Sequence, residues 1–414
     1  MAEQRPQIPY FKEFLPTLVC IVLSLFFAMV FQFNGGVFLP AATQMSSALG
    51  CIQEDVTMAG YASFIGMLMV VWICVMCLTR TIRLGKKIPL YGIDWIGLLL
   101  WTVMLFAIVF ICIYGDFYDW LDSVQIRSCI VIAVVSLLIN INRMTSIRHP
   151  YIDPQVFRYK KFPVVLFLFL MLCLFLTTSS VLQNAFMTSI LQYDTLNAIS
   201  LNWCVFAGIL AGAGIVFFRQ AVLKKGYKLL ISVGFTLIVM YQYYMYFLIY
   251  PDLNIESLYL PNFLKGIGHG VLYISLTIYV AKHIPFKHFF QSLCVLSFIR
   301  TSIATPLGSA ILNRWMKHLQ RDNWGLLSRN MDNLHEWMPD VSLMQLYEEV
   351  NTQTMLTSLK ELFGWICLLG TVFLVIVLSY RIWRDRHLAA LKMLHSLPVK
   401  KRYRPSSIHK ISKN

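Results

Sequence analysis

The chain has 414 residues, of which 58% are apolar and only 13% charged, with a mean hydropathy of +0.64. Soluble domains carry roughly 25% charged residues and must cover their outside with polar surface, so a water-soluble globule is excluded and lipid is the expected solvent. The net charge of +15 falls in short clusters between apolar stretches, which points to a membrane surface and not to nucleic acid.

A hydrocarbon core of about 30 Å is crossed by about 20 apolar helical residues. In chain order, stretches of that kind run over 15–33, 59–79, 95–114, 128–142, 163–184, 195–218, 229–250, 258–281, 289–312 and 362–380. Lys265 interrupts the eighth and Arg300 the ninth. In lipid no backbone amide can go unpaired, so each stretch is expected to be helical. The fold class is therefore an all-α polytopic membrane protein with about ten spans. The first stretch is too long for a cleaved signal peptide and is read as a retained span.

The loops alternate in charge. The second holds Arg80, Arg83, Lys86 and Lys87; the fourth holds Arg143, Arg148, Arg158, Lys160 and Lys161. The sixth holds Arg219, Lys224, Lys225 and Lys228, and the eighth Lys282 and Lys287. Odd loops carry acids instead: Glu54 and Asp55, then Asp116, Asp119 and Asp122, then Asp194, then Asp252 and Glu256. By the positive-inside rule both termini face the cytoplasm, in the plasma (inner) membrane. The ninth loop, 313–361, is long and mixed in charge, and helical periodicity over 341–362 predicts a short amphipathic outer segment there. The tail 387–414 is basic and is expected to be disordered beyond Pro398.

Most of the ten cysteines lie inside apolar stretches, so no disulfide framework is expected. Cys74 and Cys77 have redox-motif spacing but read as small apolar filler in a span.

Several segments carry a resemblance. Ile93-Asp94-Trp95-Ile96-Gly97-Leu98 is similar to the opening of two extra central spans in the fourteen-span drug:proton antiporters of the major facilitator superfamily, the EmrB/QacA-type multidrug transporters. His149-Pro150-Tyr151-Ile152-Asp153 with Phe157, Leu260-Pro261-Asn262-Phe263-Leu264-Lys265-Gly266 and Leu296-Ser297-Phe298-Ile299-Arg300-Thr301 resemble later elements of that branch, in order. Asn351-Thr352-Gln353 resembles the lead-in to the last span, and Phe38-Leu39-Pro40 and Glu54-Asp55-Val56-Thr57 resemble elements at the front. The resemblance implies a major-facilitator-like helical bundle divided into a shortened N-terminal part (1–92), two central spans (93–148), a C-terminal six-span bundle (149–386) and a basic tail. About four spans of the family's first half have no counterpart, a loss that keeps every remaining loop on its side. The cytoplasmic Gly/Asp/Arg motif, the Gly/Pro-rich antiporter motif and the first-span acid are also absent, Gln32 being the nearest polar residue to the last. The implied activity is proton-coupled export of lipophilic small molecules. The implied partners are the lipid bilayer and either a periplasmic adaptor subunit or a second copy of the chain. The departures equally fit a shortened, non-transporting membrane protein or interaction module.

Candidate functional residues follow from the cost of polarity in lipid. Arg300 carries a charge at membrane depth, at about 2.5 kcal/mol or more; it is either a substrate or coupling group or a pin between helices. His269, within Gly266-Ile267-Gly268-His269-Gly270, is a relay or a packed histidine. Lys265 is expected to snorkel to the interface. Thr177, Thr178, Ser179, Ser180, Gln183 and Asn184 form a polar run that either lines a wet cleft or bonds within the bundle. Gly208, Gly212, Gly266 and Gly270 are expected at helix crossings. Tyr241, Tyr243, Tyr244, Tyr246 and Tyr250 read as an interfacial belt, with aromatic lining of a site as the alternative. No span core contains Asp or Glu, which leaves His269 as the nearest candidate for proton coupling. No enzyme, metal or cofactor signal is evident.

Overall fold

The computed structural model describes residues 41–42, 44–62, 94–147, 150–159, 161–193, 198–223, 226–329 and 342–396. The first expected span and most of the second, the loop at 80–92, Gln32 and the tail beyond 396 lie outside the described residues. Among the described residues there is no strand, and eight helices are long and apolar enough to cross a membrane. They coincide with the last eight expected spans.

Their ends follow from local chemistry. α1 (Trp95–Tyr114) is capped by Asp94, whose carboxylate accepts from the Gly97 amide at 2.9 Å and pairs with Arg143 at 2.8 Å. A side chain at position 97 would collide with that carboxylate. α2 (Val124–Ser146) is capped by Ser123 and is longer at both ends than the expected 128–142. α3 (Phe162–Ser189) starts with Pro163 in its first turn, where a missing amide costs nothing. α4 (Ala198–Phe217), α5 (Lys228–Leu248) and α6 (Tyr259–His283) follow. α7 (Phe286–Phe298) leads through a π-helical turn, Ile299–Ala304, into α8 (Thr305–Ser328). Proline inside a helix loses a hydrogen bond and crowds the carbonyl four residues back, and the widened turn sits directly before Pro306. A second π-helical turn, Ser179–Gln183, interrupts α3.

The helical segment expected over 341–362 is present from Leu343, and 330–341 lies outside the described residues. α8 stays helical through Ser328, and α9 (Leu343–Ser396) starts well before the last apolar stretch and continues to Ser396. The C-terminal part of α8 and the first part of α9 lie side by side and antiparallel. The Asn323 amide donates to Ser358 at 3.0 Å, and the Trp324 and Tyr347 rings lie 5.2 Å apart.

α6 is the central helix, with 72% of its apolar window buried against 17% for α2. It is held by backbone-to-backbone crossings. A Cβ on Gly212 would lie 2.7 Å from the Ile267 carbonyl oxygen, and one on Gly270 would lie 2.8 Å from that of Ile209. Gly208 and Gly266 face each other across the same α4–α6 crossing. On the other side of α6, Gly268 approaches the Gly234 carbonyl of α5. Helix association in lipid rests on such close packing.

Contacts between loops keep the alternation read from charge. Tyr114 donates to Asp55, joining the first and third loops, and Lys317 pairs with Asp116, joining the third and ninth. At the other end Asp94 meets Arg143, His288 lies 3.8 Å from Asp153, and the Tyr227 hydroxyl lies 3.5 Å from the His283 ring. Each of these contacts joins odd with odd or even with even.

The glycine crossings are directly testable. Gly212→Val and Gly270→Val are each expected to destabilise the protein by about 1–3 kcal/mol. Gly214→Ala, where a Cβ meets nothing within 4 Å, should stay within about 0.5 kcal/mol. Thermal unfolding in detergent reads both; equal midpoints for all three would contradict the crossing.

Candidate functional site

Among the described residues, basic side chains lie buried on α6 and on the π-helical turn that follows α7. Lys265, His269 and Arg300 are 7%, 3% and 7% exposed. Lys265 and His269 are one helical turn apart on α6, and Tyr273 is one turn further, so all three share a face. Arg300 comes from the π-helical turn before Pro306, with its guanidinium 4.9 Å from the centre of the Tyr273 ring. His269 lies 6.2 Å from Tyr273, ring to ring.

Neutral polar groups surround these side chains. Lys265 donates to the Asn262 side-chain oxygen at 2.8 Å and sits 5.2 Å over the Tyr241 ring. The Tyr241 hydroxyl donates to Gln183 at 2.7 Å. Next to it on α5, the Gln242 amide donates to Thr178 at 2.7 Å and to the Phe175 carbonyl at 3.0 Å. The two α5 residues therefore reach the polar run of α3, at and just before its π-helical turn. Hydroxyls of that run bond back to their own helix: Thr177 to Cys173, Thr178 to Phe175, Ser179 to Leu176 and Ser180 to Thr177. Such back-bonding distorts helices, and π-helical turns occur frequently at functional sites. Phe169, 5.5 Å from Tyr273 ring to ring, adds an apolar wall.

The structure thus groups Arg300 with His269, and places Thr178 and Gln183 on the adjoining α3–α5 contact. Asn184 is half-buried and takes no part in these contacts; its carbonyl accepts from Thr188. Two expectations are corrected. Lys265, expected at the interface, is buried within the bundle, and its ammonium bonds Asn262 one turn toward the start of α6. Tyr241 is not part of a belt but is fully buried, whereas Tyr243, Tyr244 and Tyr250 are exposed. Sequence reasoning missed Gln242, Asn262 and Tyr273; the turn-by-turn spacing of Lys265, His269 and Tyr273 was the available signal.

No protein-family model matches the chain, and no curated protein matches it. The fold and the site define the class: an all-α protein whose helices are those of a multi-pass membrane protein, with a basic, tyrosine-lined interior.

Tyr241→Phe leaves the buried Gln183 oxygen without its donor and is expected to cost about 1–3 kcal/mol. Tyr244→Phe, on the exposed face of the same helix, should cost nothing measurable. Unfolding midpoints in detergent compare the two, and equal midpoints would contradict the interior placement of Tyr241.

Proposed function

We propose that the chain is a secondary transporter of the major facilitator type that exports lipophilic small molecules in exchange for protons. One observation carries the reading: Lys265 and His269 on α6, and Arg300 on the π-helical turn, are buried within a bundle of apolar helices. Ionisable groups inside spans mark substrate and ion pathways. Transporters commonly build such sites from interrupted helices near the midplane, and α3 and α7–α8 are both interrupted here. His269 supplies an imidazole, a group able to take up and release a proton, inside a span. The ordered family-like segments add the branch and the direction of transport.

Expression in an efflux-deficient bacterium is expected to lower accumulation of the lipophilic dye Nile red, and a protonophore should restore it. His269→Gln should bring efflux close to background while the protein still reaches the membrane. Unchanged accumulation with the protein in the membrane would overturn the proposal and leave the non-transporting membrane module as the reading.

A further inference from the structure

We infer that the cleft between α8 and α9, beyond the apolar stretches of both helices, binds a phosphate-bearing anion. The inference stands apart from the transport reading and needs no flux. The cleft has a volume of about 350 Å³, within the range of roughly 300–1,000 Å³ common to small-molecule sites. α8 gives it Lys317, Gln320, Arg321 and Trp324, spaced so that they share one face. α9 gives it Asn351 and Thr354. These positions follow 289–312 and precede 362–380 in the chain, so the cleft is built from the polar extensions of two spans. Its walls are tied to each other: the Gln320 amide donates to the Met355 sulfur, and the Trp324 ring packs on Tyr347.

The chemistry of the walls selects an anion. Lys317 and Arg321 are cations, Asn351 and Thr354 add an amide and a hydroxyl donor, and no Asp or Glu lines the cleft. Of the nearby acids in the chain, Asp322 pairs with His318 and Glu348 lies outside the walls. Asp116 of the third loop pairs with Lys317, so Arg321 supplies the main attraction. A guanidinium meets a phosphate with two parallel hydrogen bonds, and an ammonium adds a point charge. Thr354 points to a ligand independently of charge. It is 3% exposed, and its buried hydroxyl finds no hydrogen-bond partner among the described residues. The neighbouring Thr352 and Thr357 return their hydroxyls to carbonyls one turn back; Thr354 does not, and a buried hydroxyl left unpaired is costly. A helical threonine has two side-chain rotamers open to it, so this hydroxyl can turn to an oxygen of the ligand. A water-borne phosphate ester and the head of an anionic phospholipid share this chemistry.

Glycerol 3-phosphate is the probe, with glycerol as its uncharged counterpart. Equilibrium dialysis against the purified full chain in neutral detergent should show saturable binding of glycerol 3-phosphate and none of glycerol. Arg321→Gln and Thr354→Val should each weaken binding by about tenfold or more, as loss of a hydrogen bond to a charged group implies. Thr354→Val should do so without lowering the unfolding midpoint, because the hydroxyl makes no bond within the protein. Arg329→Gln, at the end of α8 and outside the cleft, should leave binding unchanged. The two cleft variants lie on different helices, so either reads the site if the other fails to fold. Phosphatidylcholine nanodiscs with and without phosphatidylglycerol separate the sources: competition by phosphatidylglycerol assigns the site to a lipid head, and its absence assigns it to a water-borne phosphate ester. No saturable binding of glycerol 3-phosphate, equal binding of glycerol, or wild-type affinity in either folded cleft variant overturns the inference.

Discussion

Lipid as solvent is the constraint on which the structure depends. With no water at the backbone, every amide must find its partner within the same helix, and several hydroxyls bond in the same way. The hydroxyls of Thr177 to Ser180 return to carbonyls of α3, and those of Thr277 and Thr371 return to α6 and α9. Apolar side chains are at home against lipid, so burial alone does not draw the helices together. Close backbone approach does so instead, at Gly208, Gly212, Gly266 and Gly270.

That crossing also aims the site. Successive residues on a helix are about 100° apart, so Lys265 and His269 lie one step around from Gly266 and Gly270. Pinning the glycines against α4 turns the two basic residues away from it, toward Tyr241 of α5 and toward Arg300. The π-helical turn before Pro306 brings Arg300 to the same region from the other side. A chain of local causes therefore runs from small residues and one proline to a charged interior.

The spans were legible because hydropathy and loop charge are strong signals in lipid: the eight apolar helices fall where the sequence places them. The contacts among Asp55, Tyr114, Asp116 and Lys317 at one end, and among Asp94, Arg143, Asp153 and His288 at the other, repeat the parity of the loop charges. Lys265 and Tyr241 were misread because their side chains have an interfacial habit, and only the helix start at Tyr259 and the Tyr241–Gln183 contact decide against it. The helical segment expected over 341–362 is present from Leu343, whereas the continuation of α8 to Ser328 and its contacts with α9 were not legible, because a polar sequence says little about whether a second helix lies beside it.

The threading of α5 tests the account most directly. Gly226 and Asp252 flank this helix and are both exposed. Single cysteines at these two positions, in a chain otherwise lacking cysteine, can be probed in cells with a membrane-impermeant thiol reagent. The cysteine at 252 is expected to react in intact cells, and the one at 226 only after the membrane is opened. Reaction of both from the same side would mean that α5 does not cross the bilayer, and the basic interior would then not lie in lipid.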